Sequence, residues 1–265
     1  MPSIREIEDE KLKVEILRVF NENYCVYGSR KMFRQLKHEH IIVGRDRVRR
    51  LMAQLNIHGA IKRKTKVPKT TNSKKGIQYP IDQVKRKFKA DNPNELWVSD
   101  ITYVRCLYGF CYTAFITDVF SNMIVGWMVS DKIDAKLVLD ALDMAISQRH
   151  KPGNKLIHHS DKGSQYFSNE YVNRLEKELI VQSAGTTGDS FDNALSESVN
   201  SFYKTELIRN EYLNYEFKDK ADLEAKTASY VHWWNNRRIQ VRLDDMSPVQ
   251  YEKQYNELNR TPKVA

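Results

Sequence analysis

"LWVSDITYVRCLYGFCYTAFITDVFSNMIVGWMVS", residues 96–130, decides the fold. Its β-branched and aromatic residues fall in three runs, "LWVSDITYV", "FCYTAFITDVF" and "NMIVGWMVS", broken by the turn-forming "CLYGF" and "SN". That pattern predicts three consecutive antiparallel strands. Downstream, "DAKLVLDALDMAISQR" (134–149) reads as a long helix and "KLIHHSD" (155–161) as a short buried strand. "SNEYVNRLEKEL" (168–179) is a second helix with Ser168 available as its cap, and "IVQSA" (180–184) a fifth strand. A third helix follows in "GTTGDSFDNALSESVNSFYK" (185–204). The order β-β-β-α-β-α-β-α packs most simply as an α/β fold, a five-stranded mixed sheet with helices on both faces. The first and fourth strands lie side by side if the three-strand meander docks by its first strand.

Upstream of the strands the apolar spacing is helical. Residues 5–23 place Ile7, Leu12, Ile16, Leu17 and Phe20 near helical spacing. "YGSRKMFRQLKHEH" (27–40) reads as a helix capped by Ser29, with Met32, Phe33 and Leu36 inward. "RDRVRRLMAQLNIHG" (45–59) directs Val48, Leu51, Met52 and Leu55 inward, with Gly59 as its stop. Arg45, Arg47, Arg49 and Arg50 lie on or beside the outer face. Three short helices ending in a basic one suggest a helix-turn-helix, and a helical cap on the larger domain is the alternative. The expected organisation is residues 1–60 as this small all-α region, 61–92 as a basic linker, 93–215 as the α/β core, and 216–265 as a C-terminal helix and tail.

Charge is strongly polarised. The chain carries +9, yet residues 28–90 hold nineteen Lys/Arg against three acids, a local +16. A charge so one-sided points to a polyanion partner, nucleic acid. Lys62, Arg63 and Lys64 begin the linker, whose composition (Lys, Thr, Ser, Pro) offers little to bury. Such a segment can lie along a phosphate backbone and release counterions without fixed geometry. Three cysteines, Cys25, Cys106 and Cys111, make neither a disulfide framework nor a zinc site and are read as reduced. No apolar run approaches the ~20 residues of a membrane helix, and the charged N-terminus has no signal-peptide stretch, so the cytosol is expected.

The sheet assigns the acids. Asp100 lies within the first strand and Asp161 ends the fourth, so neighbouring strands bring them together. Asp118, one strand further away, is read as structural. On the last helix Glu197 and Lys204 are seven residues apart and share a face, with Leu195, Val199 and Phe202 broadly opposite, toward the sheet. Asp192 and Asn193 can cap that helix. His158 is read as packing within the sheet and His159 as facing the site. Three carboxylates suit phosphodiester chemistry: they can hold a pair of hard divalent ions, Mg²⁺ or Mn²⁺, about 3.5–4 Å apart.

These residues resemble a known pattern. "VYGSRKMFRQL" with "VGRDRVRRLM", the acidic blocks "WVSDITYV", "LIHHSDKGSQY" and "GDSFDNALSESVNSFYKTELI", and the closing "YVHWWNNRRIQVRLDDMSPVQY" are together similar to DDE transposases of the insertion-sequence-3 family. In particular they resemble the family's second-frame product, which shares the catalytic core of retroviral integrases. The resemblance spans nearly the whole chain. It implies an RNase H-like core, a metal-binding catalytic triad of Asp100, Asp161 and Glu197, and a contact from Lys204 to the element's terminal DNA. Asn193 and His159 would support that triad from behind. It also implies Mg²⁺ or Mn²⁺, two ions, as cofactor, and element ends and target DNA as partners of a multimer in the bacterial cytosol. An upstream-frame product would supply a further DNA-binding helix-turn-helix. The implied reaction is cleavage of DNA 3′ ends followed by strand transfer. A nuclease on the same core and a non-cutting DNA-binding regulator are the rival readings. Gln240 stands where many relatives carry histidine, and "LDDMSP" replaces a glycine-aromatic version.

Overall fold

A computed structural model describes residues 2–61, 79–149, 155–185 and 194–259. Strands β1 (Leu96–Cys106), β2 (Gly109–Asp118) and β3 (Ile124–Ser130) form the meander; β4 (Ile157–Ser160) and β5 (Val181–Ala184) complete one sheet ordered β3-β2-β1-β4-β5. β1 pairs antiparallel with β2 and parallel with β4, in a register that sets Ser99 beside Ser160. The meander therefore docks by its first strand, and the next residue of each chain is an aspartate.

Alternation along β1 and β2 feeds two cores. On one face Trp97, Ala114, Ile116 and Val125 meet α4 (Ala135–Arg149) and α5 (Asn169–Lys177) through Leu137, Ala141, Leu142, Tyr171 and Leu175. Ser168 caps α5 as expected, accepting from the Tyr171 amide at 3.3 Å. On the other face Val104, Phe115 and Val129 pack against α6 (Ala194–Tyr203) and α7 (Lys220–Asn236). This second core continues into α1 (Ile4–Glu22), α2 (Ser29–His38) and α3 (Arg45–Gln54), so Phe20, Tyr27, Met32 and Leu51 share one apolar cluster with Tyr230, Trp233 and Trp234. The helical region is thus fused to the α6/α7 face. Polar pins reinforce the seam: Trp233 Nε1 donates to Asn23 Oδ1 at 3.1 Å, the Ile239 amide to Tyr27 Oη at 3.0 Å, and Arg34 to Asp245 at 2.8 Å.

Several local expectations need correction. Ser29 is the first residue of α2 rather than its cap; Gly28 holds the cap position and no side chain bonds there. α3 ends at Gln54, so Gly59 is no helix stop. Gly59 instead crosses Gly28 so closely that an added Cβ would lie 2.5 Å from the Gly28 nitrogen. On α6 the buried positions are Ser196, Val199, Asn200 and Tyr203, while Phe202 is exposed and stacks under the Arg238 guanidinium at 4.6 Å. The packing face is rotated by about one residue from the periodicity reading. Both Trp233 and Trp234 are buried. A final helix, α8 (Pro248–Leu258), begins at a Ser247/Gln250 capping box that was read only as tail. Gln240, the departure noted above, accepts from Asn122 Nδ2 at 3.0 Å, holding the chain after α7 against the β2–β3 connection.

Candidate active site

β1 and β4 present the first two carboxylates. Asp100 follows Ser99 on β1 and Asp161 follows Ser160 at the end of β4, where the parallel register sets those serines side by side. Each carboxylate has a local hold. Asp100 Oδ1 accepts from the Ile101 amide at 2.8 Å and its Oδ2 from Asn200 Nδ2 at 2.8 Å. Asp161 Oδ1 accepts from the Gly163 amide at 3.0 Å, a turn so tight that a Cβ on Gly163 would meet the same oxygen. Below them Tyr166 is buried against the sheet and bonded to Ser99 Oγ at 2.9 Å, so its role is packing.

The electrostatics record the crowding. Burial pushes the Asp100 carboxyl up to about 7, with the Asp161 charge adding to the shift and Glu197 contributing less. Glu197 lies exposed on the first turn of α6. Among the described residues no three His, Cys, Asp or Glu side chains stand close enough together to grip a metal ion. The fold therefore pairs Asp100 with Asp161 and leaves Glu197 at their margin. The donor set fits a hard divalent cation even so: two carboxylates whose mutual repulsion a cation would relieve, with the buried Asn200 Oδ1 lacking a hydrogen-bond partner beside them.

Asn200 was missed in the sequence. Its signal was the three-residue step from Glu197, which returns a side chain to nearly the same helix face. His159 shares the sheet face of Asp100 but is sealed beneath it, its Nδ1 2.9 Å from Ser183 Oγ and its ring 5.8 Å from Phe88. It supports the floor of the site and does not open toward it. His158, on the opposite face, bonds Tyr171 Oη at 3.1 Å. Asp118 is fully buried at the far end of β2 among donors: the amides of Asn94 and Phe120 and Arg149, which also grips Glu252.

Lys204 follows α6 directly and begins the π-type turn over Lys204–Ile208. Its ammonium sits 4.4 Å above the Tyr103 ring. Burial lowers its pKa, as does the charge of Arg209, while Asp100 opposes the shift, which places Lys204 in the electrostatic reach of the site. Among the α3 arginines, Arg45 and Arg49 are exposed, whereas Arg47 and Arg50 each bond Asp9 at 2.7 Å. Those two arginines hold the Asp9 carboxyl below its usual range and serve the helix packing first. Arg238 is buried and bonds Glu206 through two nitrogens, at 2.9 and 2.6 Å. Lys62, Arg63, Lys64 and Asn193 lie outside the described residues.

The sheet order and paired aspartates define a fold class, an RNase H-like core. Family models for an integrase core domain match residues 90–190 and 197–255, and one for an HTH-like domain matches 6–65. The fold resembles a chain of the simian T-cell lymphotropic virus intasome (TM-score 0.54, 16% identity, 73% of this chain and 63% of that one). It likewise resembles the HTLV-2 integrase catalytic core determined with magnesium (TM-score 0.51, 19% identity, 62% and 99%). In sequence, the transposase for insertion sequence element IS629 of Shigella sonnei is 46% identical over 253 residues, covering 96% of this chain and 82% of the relative. The putative transposase for IS986/IS6110 of Mycobacterium tuberculosis is 40% identical over 265 residues, covering 98% and 94%. The chain belongs to the insertion-sequence-3 family of DNA transposases. Among the described residues no helix is long and apolar enough to cross a membrane.

Proposed function

We propose that the chain cuts the 3′ ends of its element and joins the freed 3′-OH to target DNA, with Asp100, Asp161 and Glu197 as the metal-holding catalytic residues. The observation that carries this reading is the pairing of Asp100 with Asp161 across β1 and β4, where burial first and the Asp161 charge second raise the Asp100 pKa to about 7. Two half-buried carboxylates that repel each other are costly to keep charged unless a cation joins them. Glu197, on the first turn of α6, is the third member of the set. Bound Mg²⁺ or Mn²⁺, two ions, would activate the attacking oxygen and neutralise charge on the leaving one.

This chain's own residues do the positioning. Asn200 and the Ile101 amide each fix one Asp100 oxygen, and the Gly163 amide fixes one Asp161 oxygen, so both carboxylates are held in place. Lys204, anchored over Tyr103, holds a phosphate of the element end near the strands. Water and a DNA 3′-OH are equivalent nucleophiles here, so cleavage and joining are successive in-line phosphoryl transfers without a covalent protein intermediate. The exposed Arg45 and Arg49 add non-specific phosphate contacts, and two DNA ends imply a multimer in the reacting complex.

The test is a labelled element end incubated with the chain, alone and fused to any upstream-frame product, in Mn²⁺. Asp100→Asn, Asp161→Asn and Glu197→Gln should each reduce cleavage and joining by about a thousandfold, the equivalent of ~4 kcal/mol. Cleavage unchanged in all three overturns the assignment.

A further inference from the structure

A cleft of about 400 Å³ opens beside Lys204, between the end of β1, the π-type turn and residues 215–217. Tyr103, Tyr215 and Phe217 supply its rings, and Arg105, Lys204 and Arg209 its charges. One wall is tied to the β1–β2 turn, where the Leu107 amide donates to the Phe217 carbonyl at 2.8 Å. From this wall and the metal-site assignment above, we propose that the cleft is a binding site for one unpaired nucleotide of the DNA being processed, its base against the tyrosine rings and its phosphate on the cations.

Several observations favour that occupant. The volume lies in the ~300–1,000 Å³ range of clefts that enclose a small ligand, large enough for one nucleotide and too small for a base pair in its duplex. The rings are paired with ammonium groups, Lys204 of the lining over Tyr103 at 4.4 Å and Lys226, outside the lining, over Tyr215 at 5.0 Å, so aromatic rings alternate with positive charge. That alternation is what a single strand engages through stacked bases and phosphates. Tyr215 is 39% exposed, an unusual position for a tyrosine that only packs. Glu216, the one acid on the lining, can accept from an exocyclic amino group on the base edge. The cleft also lies near the proposed reaction site: Glu197 is seven residues before Lys204, ~10 Å along the helix axis, and the Asp100 charge acts on Lys204. A helix that widens where a ligand docks is a recurrent functional feature.

The inference rests on the strand-transfer reading, and its test separates the two. The full chain in EDTA is titrated with a duplex bearing a short single-stranded extension labelled with 2-aminopurine, with the same duplex carrying an abasic extension, and with a blunt duplex. The base-bearing extension should bind about tenfold tighter than the abasic one and its fluorescence should be quenched on binding. Tyr215→Ala should erase that advantage and the quench while leaving the blunt duplex and thermal stability unchanged; Tyr215→Trp should restore both. Arg105→Ala should weaken the base-bearing and abasic extensions alike. Equal binding of base-bearing and abasic extensions by the unaltered chain overturns the site, as does a Tyr215→Ala loss that falls equally on blunt duplex. Because no turnover occurs in EDTA, those results leave the metal-dependent assay to judge the strand-transfer reading separately.

Discussion

Asp100 and Asp118 stand on paired strands, and burial raises the carboxyl pKa of both, to about 7 and about 6. Their company differs. Around Asp118 the groups are mostly donors: two backbone amides and Arg149, whose charge pulls its pKa back down. Around Asp100 the next charges are acids, Asp161 and then Glu197, which push the pKa further up. A carboxylate among donors is a completed structural joint. Asp100 has donors too, the Ile101 amide and Asn200, yet the charges that shift it are acids, and among the described residues no cationic side chain offsets them at Asp100 as Arg149 does at Asp118. The difference separates framework from chemistry more clearly than burial does.

The comparison breaks most visibly at Arg149. It joins Asp118 to Glu252, with nitrogens 3.2 and 2.6 Å from their oxygens. Arg149→Met strands two buried carboxylates and should cost about 3–5 kcal/mol in urea unfolding. Cleavage per folded molecule should stay within a few-fold. A loss of activity with stability intact would place Asp118 in the chemistry instead.

Asp100 should show the opposite sign. Its folded pKa of about 7 exceeds its ordinary 3.8, so between those values the folded chain binds more protons than the unfolded one. Metal-free stability therefore falls as pH rises through that window, by about 1–2 kcal/mol between pH 5 and 7 once solvent screening is allowed for. Asp100→Asn should flatten the slope, and so should saturating Mg²⁺ in the parent chain. A slope unchanged by the substitution would assign the effect to another group.

A smaller effect extends the same contrast to cations. Arg47 and Arg50 are engaged by Asp9, whereas Arg49 is exposed beside Asp46 at 3.4 Å. Arg49→Ala should lower the slope of log affinity for duplex DNA against log salt by nearly one unit. Arg47→Ala should change it less and instead loosen the α1–α3 packing, seen as a lower melting temperature. Equal salt slopes for both would show that the Asp9 pairs open on DNA.

Much of this was legible in the chain. The strand runs of residues 96–130 and the positions of Asp100 and Asp161 follow from alternation and topology, because a parallel β1–β4 pair leaves few ways to place those residues. Asn200 and the rotation that buries Tyr203 and exposes Phe202 were not legible. Both depend on how α6 meets a sheet, and helical periodicity leaves that angle free by about one residue. Arg238 shows the limit from the other side: in "NNRR" it looks like a phosphate ligand, yet Glu206, thirty-two residues earlier, has claimed it. Local sequence carries no trace of a partner that distant. The merging of α1–α3 with the α6/α7 core matches the helical-cap alternative, which local sequence could not choose over a separate helix-turn-helix for the same reason.

Counting Mn²⁺ by electron paramagnetic resonance, on the full chain bound to an element end, tests most directly whether the acidic cluster is built for cations. Two ions per site are expected in the parent chain, with binding weakened at least about tenfold by Asp161→Asn and by Glu197→Gln. Unaltered Mn²⁺ occupancy in both variants would contradict the account, because the ions would then be held somewhere other than between β1, β4 and α6.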